Sequence, residues 1–333
     1  SAEAFERTEA AGLLDGVVGE IKSHDLLVKL NAMEMIAQLA ITQSGYTFLE
    51  RSGVIGELAE VLRAEDDADV AVTLVKCAAL KFFGALAGVE DVDFAAVQES
   101  HAVFKQITLH LDSRNMEVKI TTLAVVGLIG STPRGLRLLH EQKATPRLLD
   151  AFVGAYRPAV GDVRIAALQA LSHLLRGGEY VTPEISDITE SLYRELRGNP
   201  TTIDSLLTHA KSPVEDLRVA AFSVIEAVAG HPWGRKELAG SKTFVDWIFN
   251  RGTEGTHSGK MEIRDCQGPR LRLGRRADSR ADHAGPAHAV CPAGAVLCVH
   301  GGDSGDGERV IWLMEKTGLW DARARKGAIG WYW

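Results

Sequence analysis

Apolar residues over the first 265 positions recur with the period of an amphipathic helix, and one such pattern returns five times. Each copy opens with an aliphatic residue followed by Lys or Arg, and continues as an apolar stripe. The copies open at Val28, Val75, Val118, Val163 and Leu217, so their starts are 47, 43, 45 and 54 residues apart. Spacings of about 40 to 47 residues are typical of stacked helical units. The pattern therefore predicts an all-α protein built from repeated helices.

Two further regularities define the content of one unit. A small residue recurs four positions after the opening residue, at Ala32, Ala79, Ala167 and Ala221, with Thr122 in the remaining copy. Gly45, Gly135 and Gly234 each lie 17 positions after the opening residue, ahead of another apolar stretch. A long helix, a short segment with glycine and a further helix are the parts of an armadillo unit. We therefore predict an armadillo/HEAT-type α-solenoid, a superhelix in which neighbouring units stabilise one another.

The two ends of the repeat array depart from this pattern. The last spacing is longer and contains Pro183 and Pro200, which break helices and predict an inserted loop or an extra helix. Residues 1–24 have the character of the last helix of a truncated unit. Its predicted apolar face consists of Leu13, Leu14, Val17, Val18 and Ile21. We expect upstream repeats to have been removed, because such a helix needs an outer partner.

The character of the sequence changes near residue 265. Residues 268–333 include 11 glycines and four of the six tryptophans, and they show no sustained helical stripe. Stretches rich in Arg alternate with stretches rich in Gly, Ala and His, a composition that does not support a packed core. We therefore divide the chain into a repeat solenoid over residues 1–265 and a low-complexity tail over residues 266–333. We expect the tail to be disordered or non-native, as a retained intron or a frame change would produce.

Bulk composition is that of an ordinary globular protein. The net charge is −7, so no overall positive field favours nucleic acid or acidic lipid. Uninterrupted apolar runs stay short of the roughly 18 residues that a membrane-spanning helix needs. Cys77 lies inside an apolar helical pattern and is predicted to be a buried, reduced thiol. We expect a cytoplasmic location, with the nucleus as a further option.

No combination of residues predicts catalysis, a metal site or a cofactor. Five metal-capable side chains lie in the tail, but their spacing lacks the paired arms of a zinc site. They are His283, His288, Cys291, Cys298 and His300. The glycine-rich segment 301–307 lacks the lysine of a phosphate-binding loop. The other histidines are scattered, and His173 is predicted to pack on an apolar stripe. We therefore predict that the protein is not an enzyme.

The most regular polar feature is a basic residue one position after the opening residue of each copy. These residues, called the basic row below, are Lys29, Lys76, Lys119, Arg164 and Arg218. In a structural interpretation, each base pairs with an acid near the preceding turn. The available acids are Asp25, Glu117, Asp162, Glu215 and Asp216. In a functional interpretation, the basic row is a charged stripe that binds a partner and speeds association. The basic row is thus the candidate partner-binding set.

Three stretches resemble one protein family more closely than they resemble repeats in general. They are residues 34–55, which open with Glu34-Met-Ile-Ala-Gln-Leu-Ala, residues 80–87, Leu80-Lys-Phe-Phe-Gly-Ala-Leu-Ala, and residues 231–261, which open with His231-Pro-Trp-Gly-Arg-Lys-Glu-Leu. Their order and spacing are similar to the C-terminal half of the proteasome non-ATPase regulatory subunit five family. The resemblance covers about residues 8–265. Near Arg264 the sequence departs from the terminal helix of that family.

The resemblance implies an armadillo/HEAT-type fold and a chaperone for assembly of the base of the proteasome regulatory particle. The family holds the C-terminal region of an ATPase subunit, so the implied partner is a proteasomal ATPase, with no nucleic acid, membrane or cofactor. The repeats alone imply only protein binding. A general armadillo adaptor or scaffold protein is therefore the alternative, although the recurring groove-lining Trp and Asn of an import adaptor are absent from this sequence.

Overall fold

A computed structural model describes residues 2–64, 69–142, 146–176 and 182–249, together with two short strands, Ala289–Val290 and Val296–Leu297. The chain divides into two compact units, Ser1–Val228 and Ala229–Trp333. Apart from the two strands, the predicted low-complexity tail lies outside the described residues. The boundary at residue 265 therefore stays a prediction.

The described part of the first unit consists of helices in consecutive sets of three. The first members are α1 (Ala2–Ala10), α4 (Gln43–Arg51), α7 (Phe94–His101), α10 (Pro133–His140) and α13 (Pro183–Glu195). The second members are α2 (Leu13–Glu20), α5 (Val54–Arg63), α8 (Val103–His110), α11 (Leu148–Tyr156) and α14 (Thr202–Ala210). The third and longest members, called lead helices below, are α3 (Leu26–Leu39), α6 (Val70–Ala87), α9 (Met116–Gly130), α12 (Gly161–Arg176) and α15 (Glu215–Ala229). The lead helices contain the five predicted copies, which confirms the armadillo/HEAT-type α-solenoid.

Three lead helices begin at side chains that satisfy their first backbone N–H groups. The side-chain oxygens of Asp25, Asp69 and Asn115 accept hydrogen bonds from N–H groups two or three residues further on. Such a cap stabilises a helix by about 1 kcal/mol. The Asn115 side-chain amide also donates to the Thr73 hydroxyl at 3.0 Å. This bond joins the N-terminal end of α9 to that of α6.

Glycine recurs where lead helices α3 and α9 meet the next short helix, and the reason is steric. Thr42 and Thr132 cap α4 and α10, and their hydroxyls accept from the N–H groups of Gly45 and Gly135, at 3.1 Å in both cases. A Cβ at Gly45 or Gly135 would lie 1.9 Å or 1.8 Å from a carbonyl oxygen of the preceding lead helix. The predicted glycine-containing segment is therefore a short helix, and its third residue has to be glycine.

Small residues let the lead helices approach one another. The residue four positions after each opening residue is 0% exposed in all five lead helices, at Ala32, Ala79, Thr122, Ala167 and Ala221. Between α9 and α12, a Cβ on Gly127 would lie 2.7 Å from the Cα of Ala170. A Cβ on Gly130 would meet the Leu174 side chain, so the contacts advance in the same order along both helices, and α9 and α12 lie side by side and run in the same direction. The predicted small residues are thus all buried, and a close approach of two lead helices is observed at Gly127 and Ala170.

Helix α6 contributes many side chains to the core of the first unit. By length and composition alone it could cross a membrane, and it is the single helix of the described residues for which this holds. However, 56% of it is buried inside the protein, where it packs between α3 and α9. Packing in the protein core thus explains why α6 is so apolar. Lys76 and Lys81 interrupt its apolar sequence. Cys77 is a buried free thiol, as predicted.

At the N-terminal end of the array the prediction is wrong, and at the last spacing one of its two alternatives, the extra helix, fails. Residues 1–24 contain two helices, α1 and α2, which complete a set of three with α3. Leu14 and Ile21 of the predicted face are buried, but Leu13 is 64% exposed. The gap before α15 contains two helices, as the other gaps do, so it holds no extra helix among its described residues. It is longer partly because α13 has 13 residues, and Pro183 starts this helix instead of breaking one.

The described part of the second unit contains α16 (Pro232–Gly240) and α17 (Lys242–Phe249). The buried His231 ring stacks on Trp233, with 5.2 Å between ring centroids. In α17, the Phe244 and Trp247 rings contact at 6.2 Å. The strands β1 (Ala289–Val290) and β2 (Val296–Leu297) form an antiparallel pair.

Candidate partner-binding surface

The basic row lies within the first two turns of the lead helices, where the sequence places it. Its members are less accessible than a surface stripe requires. Lys76 and Arg218 are buried, at 1% and 5% exposure, and Lys29, Lys119 and Arg164 are half-buried. These side chains are therefore turned largely towards the protein and offer a partner only a small area of contact.

Backbone carbonyl groups at the ends of preceding helices accept hydrogen bonds from this row. The Lys76 ammonium donates to the carbonyl of Ala64, which ends α5, at 2.6 Å. The Arg164 guanidinium donates to the carbonyls of Ala159 and Arg157, beyond α11, at 3.0 and 3.1 Å. The last carbonyls of a helix have no partner within it and carry partial negative charge, so a base stabilises them.

Arg218 makes a contact of the same kind, and Arg164 makes a further contact with an aromatic ring. One Arg218 nitrogen donates to the carbonyl of Ser212, just beyond α14, at 3.2 Å. The Arg164 guanidinium also lies 4.6 Å from the ring centre of Tyr156. Burial raises the pKa of the Tyr156 hydroxyl, while the charge of Arg164 and its hydrogen bond act in the opposite direction. Lys76, Arg164 and Arg218 thus each donate to at least one backbone carbonyl group.

The pairing of the row with acids near the preceding turn stays a prediction. The side chains of these acids are exposed at the N-terminal ends of the lead helices: Asp25, Glu117, Asp162, Glu215 and Asp216. An acid at this end of a helix is favourable by itself, because it faces the positive end of the helix dipole. The partner-binding role of the basic row stays a prediction.

Charges of both signs line the solvent-facing sides of the lead helices. Glu34 on α3 and Glu117 on α9 are exposed, and the half-buried Lys81 lies on α6 between them. Burial lowers the pKa of the Lys81 ammonium, and the nearby charges of Glu117 and Glu34 oppose this shift. Arg176 on α12 forms an ion pair with Glu226 on α15 at 3.2 Å. This surface can contact a partner of mixed charge.

His173 does not pack in the core as predicted. More than a third of its surface is exposed on α12, although desolvation lowers the pKa of its imidazole and the charge of Arg176 lowers it further. His110 is buried instead, and one of its ring nitrogens lies 2.8 Å from the carbonyl oxygen of Leu62. The stripe assignment of His173 failed because α12 is buried on most sides, so its few exposed positions interrupt an otherwise apolar sequence.

One cavity lies between the first helices of the unit. It has a volume of about 610 Å³ and is lined by Glu9, Ala10, Asp15, Phe48, Arg51 and Ser52. Arg51 forms an ion pair with Glu9 there. Within the described residues, no group of three or more His, Cys, Asp or Glu side chains could hold a metal ion. The histidines and cysteines of the tail, and the segment 301–307, lie outside those residues.

Sequence reasoning missed a set of exposed apolar side chains at the N-terminal ends of the lead helices. This set, called the apolar row below, consists of Leu27, Val70, Met116, Val160 and Val214, which are 50% to 77% exposed. Each member lies within the first two positions of a lead helix or directly before it. A signal for them was present, because an apolar residue within two positions of an acid recurs ahead of each opening residue.

Solved structures support the observed fold. The chain is similar to a designed armadillo repeat protein in complex with the peptide (KR)4, with a TM-score of 0.52 and 15% identity over 75% of this chain and 96% of that one. A second designed armadillo repeat protein gives a TM-score of 0.50 and 16% identity with the same coverage. At this identity, the similarity shows the armadillo fold alone.

Sequence comparisons identify the family. The chain is 26% identical to the 26S proteasome non-ATPase regulatory subunit 5 of Bos taurus over 266 residues, which cover 78% of this chain and 51% of the relative. The Homo sapiens protein of that name is 26% identical over 263 residues, with the same coverage. The chain spans about half the length of these curated relatives. A family model described as "Proteasome non-ATPase 26S subunit" matches residues 1–267. The chain therefore belongs to the proteasome non-ATPase 26S subunit family.

Proposed function

We propose that this chain acts in assembly of the base of the proteasome regulatory particle, as a chaperone that holds a proteasomal ATPase subunit. The observation that carries the proposal is the family match over residues 1–267, because the relatives are named as regulatory subunit 5 of the 26S proteasome. The proposed location is the cytoplasm, or the nucleus as well.

The geometry agrees with a binding role that uses no chemistry of its own. Repeat solenoids present long surfaces built from equivalent positions, and such surfaces suit an extended or large partner. Lead helices α3, α6, α9, α12 and α15 supply exposed side chains of both signs along one surface. We therefore propose that the protein is not an enzyme and binds its partner independently of ATP.

A pull-down with the full chain tests this function. The purified chain, immobilised through a tag, should enrich proteasomal ATPase subunits from a lysate, and adding or removing ATP should leave the yield unchanged. A purified ATPase subunit should then bind directly, which excludes an indirect bridge. Direct binding that fails, together with recovery of unrelated cargo or scaffold proteins, would contradict the proposal and favour a general armadillo adaptor.

A further inference from the structure

Four prolines of the chain directly follow a serine or a threonine. The residues that precede them are Thr132, Thr145, Thr182 and Ser212. A hydroxyl directly before proline is the acceptor pattern of proline-directed protein kinases, which transfer a phosphoryl group from ATP. Because the pattern occurs four times, it selects none of these residues by itself. Thr145 lies outside the described residues, and exposure and local packing distinguish the other three.

Thr182 is the accessible acceptor among these three. Thr182, Pro183 and Glu184 are all exposed, and the backbone of Thr182 is extended, with a φ of −76° and a ψ of 160°. Protein kinases bind the acceptor in an extended conformation, so Thr182 itself already has the backbone that a kinase requires. Its hydroxyl accepts from the Ile185 N–H at 3.3 Å, which is long for such a bond. Little native structure therefore holds the Thr182 side chain in place.

Thr132 and Ser212 are held by more of the surrounding structure, and both are half-buried. The Thr132 hydroxyl accepts from the Gly135 N–H at 3.1 Å, in the two-residue connection between α9 and α10. The Ser212 hydroxyl accepts from the Val214 N–H at 3.2 Å, and the Ser212 carbonyl accepts from Arg218 at 3.2 Å. A kinase has to open these contacts before either hydroxyl reaches its active site, and such local opening costs free energy.

We propose that Thr182 is a phosphorylation site for a proline-directed protein kinase. In the reaction, the Thr182 oxygen forms a bond to the γ-phosphorus of ATP, the bond from that phosphorus to the β,γ-bridging oxygen breaks, and ADP and a proton are released. The site goes beyond the binding function proposed above and does not depend on it.

The modification places a new charge beside a contact between consecutive helix sets. A phosphate on threonine carries about −1.5 to −2 charges at pH 7. Two residues further on, the Glu184 carboxylate accepts from the Arg137 guanidinium of α10 at 2.9 Å. This ion pair joins α10 to α13, and both of its side chains are partly exposed. Phosphorylation therefore changes the electrostatics of one repeat joint without requiring a change in the core.

A kinase assay on the full chain tests the site. The chain is incubated with a purified mitogen-activated protein kinase and ATP, and mass spectrometry follows phosphate on Thr132, Thr182 and Ser212 over time. Synthetic peptides centred on the same three residues report how well the kinase uses each sequence without the fold. The ratio of the folded-chain rate to the peptide rate should be at least about tenfold higher for Thr182 than for the other two, since less native structure has to open. Equal ratios, or no phosphate on Thr182 of the folded chain, would overturn the proposal.

Matched proline variants check that the dipeptide determines the reaction. Pro183→Ala keeps the acceptor hydroxyl and the exposed position but removes the proline that the kinase recognises, so phosphate on Thr182 should be almost entirely lost. The control, Pro213→Ala, changes the exposed proline after Ser212 and should leave the rate at Thr182 unchanged. Phosphorylation of Thr182 that survives in Pro183→Ala contradicts the proposal. Thermal unfolding checks that both variants are folded.

Discussion

Lead helices α3 and α9 share the same repeat pattern, but α9 buries a much larger fraction of its residues. In α3, three of 14 residues are buried, and Leu27 and Met35 are at least half exposed. In α9, eight of 15 residues are buried, because α6 and α12 pack on both sides. The difference shows that a repeat does not bury its own apolar stripe. Each neighbour contributes, and a helix with neighbours on two sides gains the most.

The glycine that follows each of these helices gives the sharpest test of this comparison. Gly45→Ala and Gly135→Ala introduce the same clash, with a Cβ less than 2 Å from a carbonyl oxygen. We expect Gly135→Ala, next to α9, to lower the free energy of unfolding of the whole unit by about 3 kcal/mol. Chemical denaturation followed by circular dichroism measures this change.

Gly45→Ala should behave differently because it lies near the end of the array. Local opening of α1 to α4 relieves its clash, so hydrogen exchange should accelerate there and stay slow in α9 and α12. If the two variants show the same global loss and the same exchange pattern, the first unit unfolds as one cooperative block, and the comparison between end and centre fails.

A smaller effect is expected where α9 and α12 approach each other. In Gly127→Ala the new methyl group meets the backbone of Ala170, and this overpacking should cost about 2 kcal/mol of unfolding free energy. The control is Gly154→Ala in α11, where a Cβ meets nothing within 4 Å. That substitution should stabilise by about 0.5 kcal/mol, since alanine favours a helix. Opposite signs in thermal melts support the close approach, and two stabilising changes would refute it.

The basic row allows the same comparison for a polar contact. Lys76→Ala removes a buried side chain and leaves the carbonyl of Ala64 without this donor, so we expect a loss of about 2 kcal/mol. Lys29→Ala, on the half-buried end helix α3, should cost less than about 0.5 kcal/mol. Urea denaturation of both variants measures the difference. If both variants lose the same unfolding free energy, burial does not determine how much the basic residue at this position stabilises the fold.

The smallest expected effect concerns pH. Desolvation lowers the pKa of His173 in the folded protein below its ordinary value of 6.5, so the unfolded chain takes up a proton at higher pH than the folded one. Stability contributed by the neutral imidazole is therefore lost as pH falls through about 6.5. Melting temperatures at pH 7.5 and 5.5 should differ less in His173→Gln than in the unsubstituted protein. An unchanged difference would indicate that α12 leaves this side chain in water.

The repeat pattern predicted much of this architecture because it records packing between neighbouring units. The protein interior restricts the residue type at Ala79, Ala167, Gly45 and Gly135, so these positions recur as small residues in the sequence. The direction in which a long side chain points does not restrict the residue type and cannot be read from the sequence. Lys76 can reach a carbonyl or a partner, and only the position of the preceding helix decides between them.

Other features escaped prediction for related reasons. The N-terminal segment forms two helices because Gly12, with a φ of 70°, separates α1 from α2, and a single apolar stripe cannot show this turn. The exposure of the apolar row was not predicted, because the helical period was assessed over each whole helix and did not separate the exposed first residues from the buried stripe. On that basis Leu27 and Met116 count as part of the buried stripe.

The tight joint between a lead helix and the next short helix also bears on where the chain tolerates changes in length. Between α9 and α10 the connection is only two residues long. The Thr132 hydroxyl caps α10 by accepting from the Gly135 N–H, and glycine leaves the room that this tight turn needs. Between α12 and α13 the connection spans six residues, 177–182. An inserted loop, a tag or a cross-linking group is therefore best placed in the second connection, where the repeat spacing is already extended.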